Sequence, residues 1–109
     1  MNNMSQVKLI KIKLKENGKQ IWLDWSDELM RRKEEVLDTL KNEKVLSESC
    51  FLSEDEEHVY YFMEAEDFEK AKESVKNNPH PIDLDHQNAK QGSLGEGKPL
   101  KCLFHFENR

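Results

Sequence analysis

The sequence predicts an α+β fold of four strands and two principal helices, in the order β-α-β-β-α-β. Three observations carry this reading. Residues 7–15 alternate apolar and basic side chains with the period of two that turns one strand face toward a core. Trp22, Trp25, Leu29, Val36 and Leu40 follow at steps of three, four, seven and four, which draws one stripe down a helix. Residues 58–65 are apolar at nearly every position, as in a central strand covered on both faces.

The elements follow in chain order. In the first strand Ile10, Ile12 and Leu14 form the apolar face, and Asn17-Gly18 ends the run as a turn. The long helix spans about 19–42. Its stripe is interrupted at Arg32 and Lys33, and Ser26-Asp27-Glu28 reads as a capping sequence at which the helix begins or bends. Residues 45–52 form the second strand, with its register left open between two half-apolar alternations. The charged run 53–57 turns the chain into the third strand, 58–65. A second helix covers 67–76, with Phe68, Ala71 and Val75 on one face and Asn77-Asn78-Pro79 as its stop. His80-Pro81-Ile82 is extended, because a residue before proline avoids the helical region. Asp83 then caps a short helix to about 91, closed by Gly92. Gly95, Gly97 and Pro99 place 93–99 in a loop, and 100–106 is the last strand.

This order suits a ferredoxin-like split β-α-β sheet, four antiparallel strands with the helices on one face and the first and third strands central. Ile10, Ile12, Leu14, Cys102, Phe104 and Phe106 then face the helices. Leu9, Tyr60, Phe62 and Leu103 lie on the open face with Lys11, Lys13, Glu64 and His105. An apolar patch of this size needs a cover, and a second copy of the chain supplies one, making a homodimer with a partly polar interior.

With 109 residues the chain has room for one domain, 1–109. Charged and apolar residues each contribute 36%, and the net charge of −5 argues against nucleic acid as a partner. Lys8, Lys11, Lys13, Lys15 and Lys19 crowd the beginning, but acidic stretches offset them. Cys50 and Cys102 sit in apolar runs and read as free buried thiols. Residues 1–6 are polar, with no apolar signal region, and no stretch approaches the roughly 20 apolar residues of a membrane span. No membrane partner is expected, and the expected location is the cytoplasm.

Several features together resemble a functionally uncharacterised bacterial family of short proteins. They are Trp22-Leu23-Asp24-Trp25-Ser26, the strand from Tyr60 to Glu64 running into Ala65-Glu66-Asp67, His80-Pro81-Ile82-Asp83 with His86, and the closing Leu103-Phe104-His105-Phe106-Glu107-Asn108. The resemblance covers nearly the whole chain and implies a fold similar to the dimeric α+β barrel superfamily. It brings no activity with it. That superfamily includes small monooxygenases, isomerases and haem-degrading enzymes, but the Asn, Trp and His constellation of the last is not recognisable here.

Two groups of residues carry the chemistry the sequence offers. His80, Asp83 and His86 have donor types suited to a divalent metal or a small ligand, against the simpler roles of turn and helix cap. His105 with Glu64 offers an acid–base pair on the open face, against a plain interfacial hydrogen bond. Tyr60 and Lys11 on that face, and Arg32 in the helical stripe, complete the ligand-binding candidates. Trp22 and Trp25 read as core packing. The glycines of 92–97 do not form a phosphate loop, and no nucleophile elbow is present. The expected function is a homodimer enclosing a small-molecule cavity between sheet faces, the alternatives being a cofactor-free monooxygenase- or isomerase-like enzyme or a regulatory interaction module. No motif names a cofactor.

Overall fold

The computed structural model describes residues 4–108; residues 1–3 of the polar start and residue 109 lie outside it. Strands β1 (Gln6–Leu14), β2 (Val45–Leu52), β3 (His58–Ala65) and β4 (Leu94–Leu100) form one antiparallel sheet in the order β2-β3-β1-β4. The first and third strands are central, as the patterning requires. The described residues form four helices: α1 (Gly18–Arg31), α2 (Lys33–Glu43), α3 (Phe68–Asn77) and α4 (Pro81–Ser93).

Pairing fixes the faces. Leu9 lies opposite Phe62, Lys11 opposite Tyr60 and Val7 opposite Glu64, so these share the open side. The other face is covered by helices. Ile12, Leu14, Val59, Tyr61 and Leu94 pack with Trp22 of α1, joined by Ala89 of α4. Val45 and Ala65 pack with Ala71 of α3, joined by Leu40 of α2. In β2 a bulge between Val45 and Ser47 switches the alternation. Ser47 and Phe51 therefore join the open face and Glu48 the covered one, which is why neither alternating set in the sequence was cleanly apolar.

The long helix is two helices. The break falls at Arg32 (φ −104°, ψ 34°), inside the gap in the apolar stripe, and not at Ser26, whose hydroxyl donates to the Trp22 carbonyl within α1. Gly18 begins α1 against the end of α4. A Cβ there would lie 2.5 Å from the Ser93 carbonyl oxygen, so only glycine allows this approach. Helix α4 also differs from expectation. Pro81 is its first residue, and Asp83 accepts the His80 backbone N–H at 2.8 Å from the third position rather than acting as the cap itself.

The largest correction concerns the chain's end. The last strand is 94–100, not 100–106. Gly-Glu-Gly-Lys-Pro has poor strand propensity, but pairing with β1 overrides it. Gly97 lies opposite Ile12 and leaves room for the Ile10 and Ile12 side chains, and Pro99 is tolerated because β4 is an edge. Residues 101–108 form a tail without regular structure. Phe104 and Phe106, expected in the core, are 74% and 83% exposed, and both cysteines are exposed. No helix among the described residues is long and apolar enough to cross a membrane.

Candidate functional site

Between the covered sheet face and helices α2, α3 and α4 lies a cleft of about 180 Å³. Its apolar wall includes Val36, Leu40, Met63 and Ile82, and its polar end holds Glu43, Glu48, Tyr61, Asp83, His86 and Lys90. A larger groove of about 480 Å³ runs beside Lys11, Lys13, Lys15 and Lys98 at the far end of the open face. The smaller cleft brings together Glu43, Glu48, Tyr61 and His86, each with its pKa displaced chiefly by burial, and such groups concentrate where proteins do chemistry.

His86 organises the polar end. Trp22, Trp25 and Tyr61 surround its ring at centroid distances of 5.7, 5.9 and 6.1 Å. The Trp25 Nε1–H donates to His86 Nδ1 at 2.8 Å, so Nδ1 is the acceptor nitrogen and the proton of the neutral ring sits on Nε2. Nε2 lies 3.0 Å from the Tyr61 hydroxyl, and that hydroxyl donates to the Glu48 carboxyl. The result is a directed chain, Trp25 to His86 to Tyr61 to Glu48, running from α1 through α4 into the sheet. Burial pushes the His86 pKa down to about 4, and the nearby Lys90 charge adds to this. Burial likewise raises the Tyr61 hydroxyl and the Glu48 carboxyl above their ordinary values. His86 is therefore held neutral, and burial shifts the Tyr61 and Glu48 groups beyond it toward their protonated forms.

Glu43 reaches the cleft from the last turn of α2. Burial and the neighbouring Asp83 charge raise its pKa to about 7. Thr39 stands between the two acids. It has one proton, its oxygen lies 2.8 and 2.9 Å from the Asp83 oxygens, and Glu43 is farther at 3.3 Å. Asp83 takes that proton, and a protonated Glu43 can donate back to the Thr39 oxygen. Asp83 itself is doubly occupied, by Thr39 and by the His80 N–H.

His80, Asp83 and His86 are thus placed in one corner but put to separate uses. Asp83 shapes the helix start, and the two His86 ring nitrogens face Trp25 and Tyr61. Arg32 lies outside the cleft, bound to Glu35 at 2.8 and 2.9 Å and to Asp85 at 2.8 Å, ties that raise its pKa and clamp the α1–α2 break to α4. Tyr60 and Lys11 lie on the open face, with the ammonium 5.9 Å from the ring centroid.

His105 and Glu64 do meet on the open face, at 3.8 Å, although the tail and not a strand brings His105 there. Sequence reasoning missed Glu43, Glu48 and Thr39. Each sits among other charged or polar residues of helix or strand, and only the bulge at Val45/Ser47 turns Glu48 inward. It also missed Glu107, which joins His105 at 3.5 Å. The Trp22/Trp25 pair was legible as core, but the indole N–H that fixes the histidine tautomer was not.

Fold and cleft together define a class: a small α+β protein with one sheet face not covered by helices, and a cleft bearing histidine and carboxyl groups under the other. The chain belongs to a family of unknown function, DUF6176, whose model matches residues 5–108. No curated protein matches it.

Proposed function

We propose that this protein binds a small polar molecule, rich in hydrogen-bond donors, in the cleft between α2, α4 and the sheet, and that the site performs acid–base chemistry on it without a cofactor. The observation that carries this reading is the directed hydrogen-bond chain from Trp25 to Glu48 ending beside Glu43, whose pKa of about 7 suits it to give and take a proton near neutrality. The polar end offers three carboxyl groups and a single ammonium, so it favours hydroxyl or amino groups over anions. The apolar wall accommodates a short carbon skeleton. Glu43 acts as base or acid on the ligand, and Glu48, which accepts from Tyr61 on one oxygen, offers its other oxygen to a ligand hydroxyl.

Thermal unfolding of the purified chain against C4–C6 polyols, aldoses and short amines at pH 7 tests this. Binding at a hundredfold excess over Kd raises stability by about 2.7 kcal/mol. Glu48→Gln and Glu43→Gln should abolish that rise. A panel without effect, together with no adduct in native mass spectrometry of the protein as purified, would sink the reading.

The chain acts as a cytoplasmic homodimer of the ferredoxin-like, α+β-barrel kind in this reading, with the open faces closed on one another. Phe51, Leu103, Phe104 and Phe106 are exposed on or beside that face. Its charges are also polarised along the strands, with Lys11, Lys13 and Lys98 toward one end and Glu64 and Glu107 at the other. A two-fold axis lying across the strands sets the basic end of one copy against the acidic end of the other, which a self-complementary interface requires. Light scattering that reports a monomer at micromolar concentration would remove the dimer and leave the cleft untouched.

A further inference from the structure

The open face carries a second group of donors, on the opposite side of the sheet from the cleft and independent of the chemistry proposed there. Glu64 belongs to the central strand β3, while His105 and Glu107 come from the tail, and Ser5 precedes β1. One ligand-type atom from each of Glu64, His105 and Glu107 lies within 4.8 Å of the other two. His105 Nε2 is 3.8 Å from Glu64 Oε2 and 3.5 Å from Glu107 Oε2. Donors held at about 2.1 Å by a tetrahedral divalent ion stand about 3.4 Å apart, so His105 Nε2 is already within a few tenths of an ångström of that spacing from each carboxylate oxygen, and the two carboxylate oxygens, within 4.8 Å of each other, would close on the ion. The Ser5 hydroxyl lies between them, at 2.6 Å from Glu64, 3.1 Å from Glu107 and 3.4 Å from His105.

The group is sheltered and oriented. The side chains of Glu64 and Glu107 are only 8% and 13% exposed, unlike a surface acid pair. Ser47 donates to the other Glu64 oxygen at 3.2 Å, which leaves Oε2 turned toward the histidine. The Ser5 backbone N–H donates to Glu107 Oε2, the oxygen nearest the histidine, at 2.7 Å and holds that carboxylate in place. Hydrogen bonds from outside a ligand set, aiming its members inward, are what metal sites use to fix their ligands.

We infer that Glu64, His105 and Glu107 form a binding site for one divalent transition-metal ion of the Zn²⁺ or Mn²⁺ class, with Ser5 beside it. One imidazole and two carboxylates suit borderline and hard divalent ions, and the absence of a thiolate disfavours soft ones. The ion would join the tail to β3 and the chain's start, fastening residues 101–108 onto the sheet.

Isothermal titration of the full chain with Zn²⁺ and with Mn²⁺, after chelation, tests the site. One ion per chain should bind, reversibly on adding chelator, with at least a tenfold loss of affinity in His105→Ala and in Glu107→Gln. Both changes are in the tail, and circular dichroism confirms that the fold survives them. His58→Ala, which removes the histidine paired with Asp55 at 3.8 Å, should leave affinity unchanged. Binding that is absent in the wild type, or that persists undiminished in both tail variants, would overturn the site.

Discussion

The two faces of the sheet treat histidine in opposite ways. On the covered face His86 is boxed by three aromatic rings, hydrogen-bonded at both nitrogens and kept neutral. On the open face His105 sits between two carboxylates and a serine, held by groups from β3, the tail and the residue before β1. The first arrangement is built into the core, so its protonation is bound up with folding. The second is an attachment of the tail, so it can change without disturbing the core.

Removing each histidine gives the largest expected contrast. His86→Ala leaves a cavity among Trp22, Trp25 and Tyr61 and orphans the Trp25 N–H. A loss of about 2–4 kcal/mol should follow in urea unfolding. His105→Ala should cost under about 1 kcal/mol, because the ring is partly exposed and bound to a tail. Equal losses would show that the tail belongs to the core and would erase the distinction.

Much of the covered face was legible in the sequence, and little of the tail was. Ile10, Ile12 and Leu14 followed from alternation, and the inward Tyr61 followed from placing Glu64 outward, because period two admits only two choices per strand. Glu48 was hidden by a bulge, since one added residue reverses every later side chain in β2. The tail misled for a different reason. Leu-Phe-His-Phe has the composition of a strand, but the pairing edge of β1 was already taken by 94–100, whose glycines and proline gave no strand signal. His105 was placed beside Glu64 through a last strand at 100–106 that does not form, and it is the irregular tail that brings the two together. Glu43, Thr39 and Glu107 needed distances no pattern contains.

pH sharpens the comparison next. Glu43 has a folded pKa of about 7 against an ordinary 4.5, so the folded state holds an extra proton between those values. Its contribution to stability is full below pH 4.5 and is lost as pH rises to about 7. His86 has a folded pKa of about 4 against 6.5, so its contribution is full above pH 6.5 and is lost as pH falls toward 4. The two slopes oppose each other between about 4.5 and 6.5, because folding moves a proton from imidazole to carboxyl. Glu43→Gln should steepen the rise of melting temperature with pH in that window, and His86→Gln should turn it toward a fall, each by the equivalent of about 1–2 kcal/mol. Parallel curves for both variants and the wild type would show that neither group titrates as placed.

Tyr61→Phe probes the chain itself. It keeps the ring against Trp22, at 6.2 Å, and removes only the hydroxyl between His86 and Glu48. A loss of about 1–2 kcal/mol is expected. An unchanged stability would mean that water replaces the hydroxyl and that the relay is not closed.

The smallest expected effect on a single chain is the one that tests the open face most directly. Phe104 and Phe106 stack at 5.5 Å and are almost fully exposed, so in an isolated chain they bury little. Replacing both with serine should leave the urea midpoint within about 0.5 kcal/mol of wild type at concentrations where the chain is monomeric. At higher concentration a dimer adds stability by mass action, so the wild-type midpoint should rise with concentration while that of the double variant stays flat. A wild-type midpoint that ignores concentration would mean the bare face is not closed by a second copy. The contrast between the faces would then lie only in how each holds its histidine.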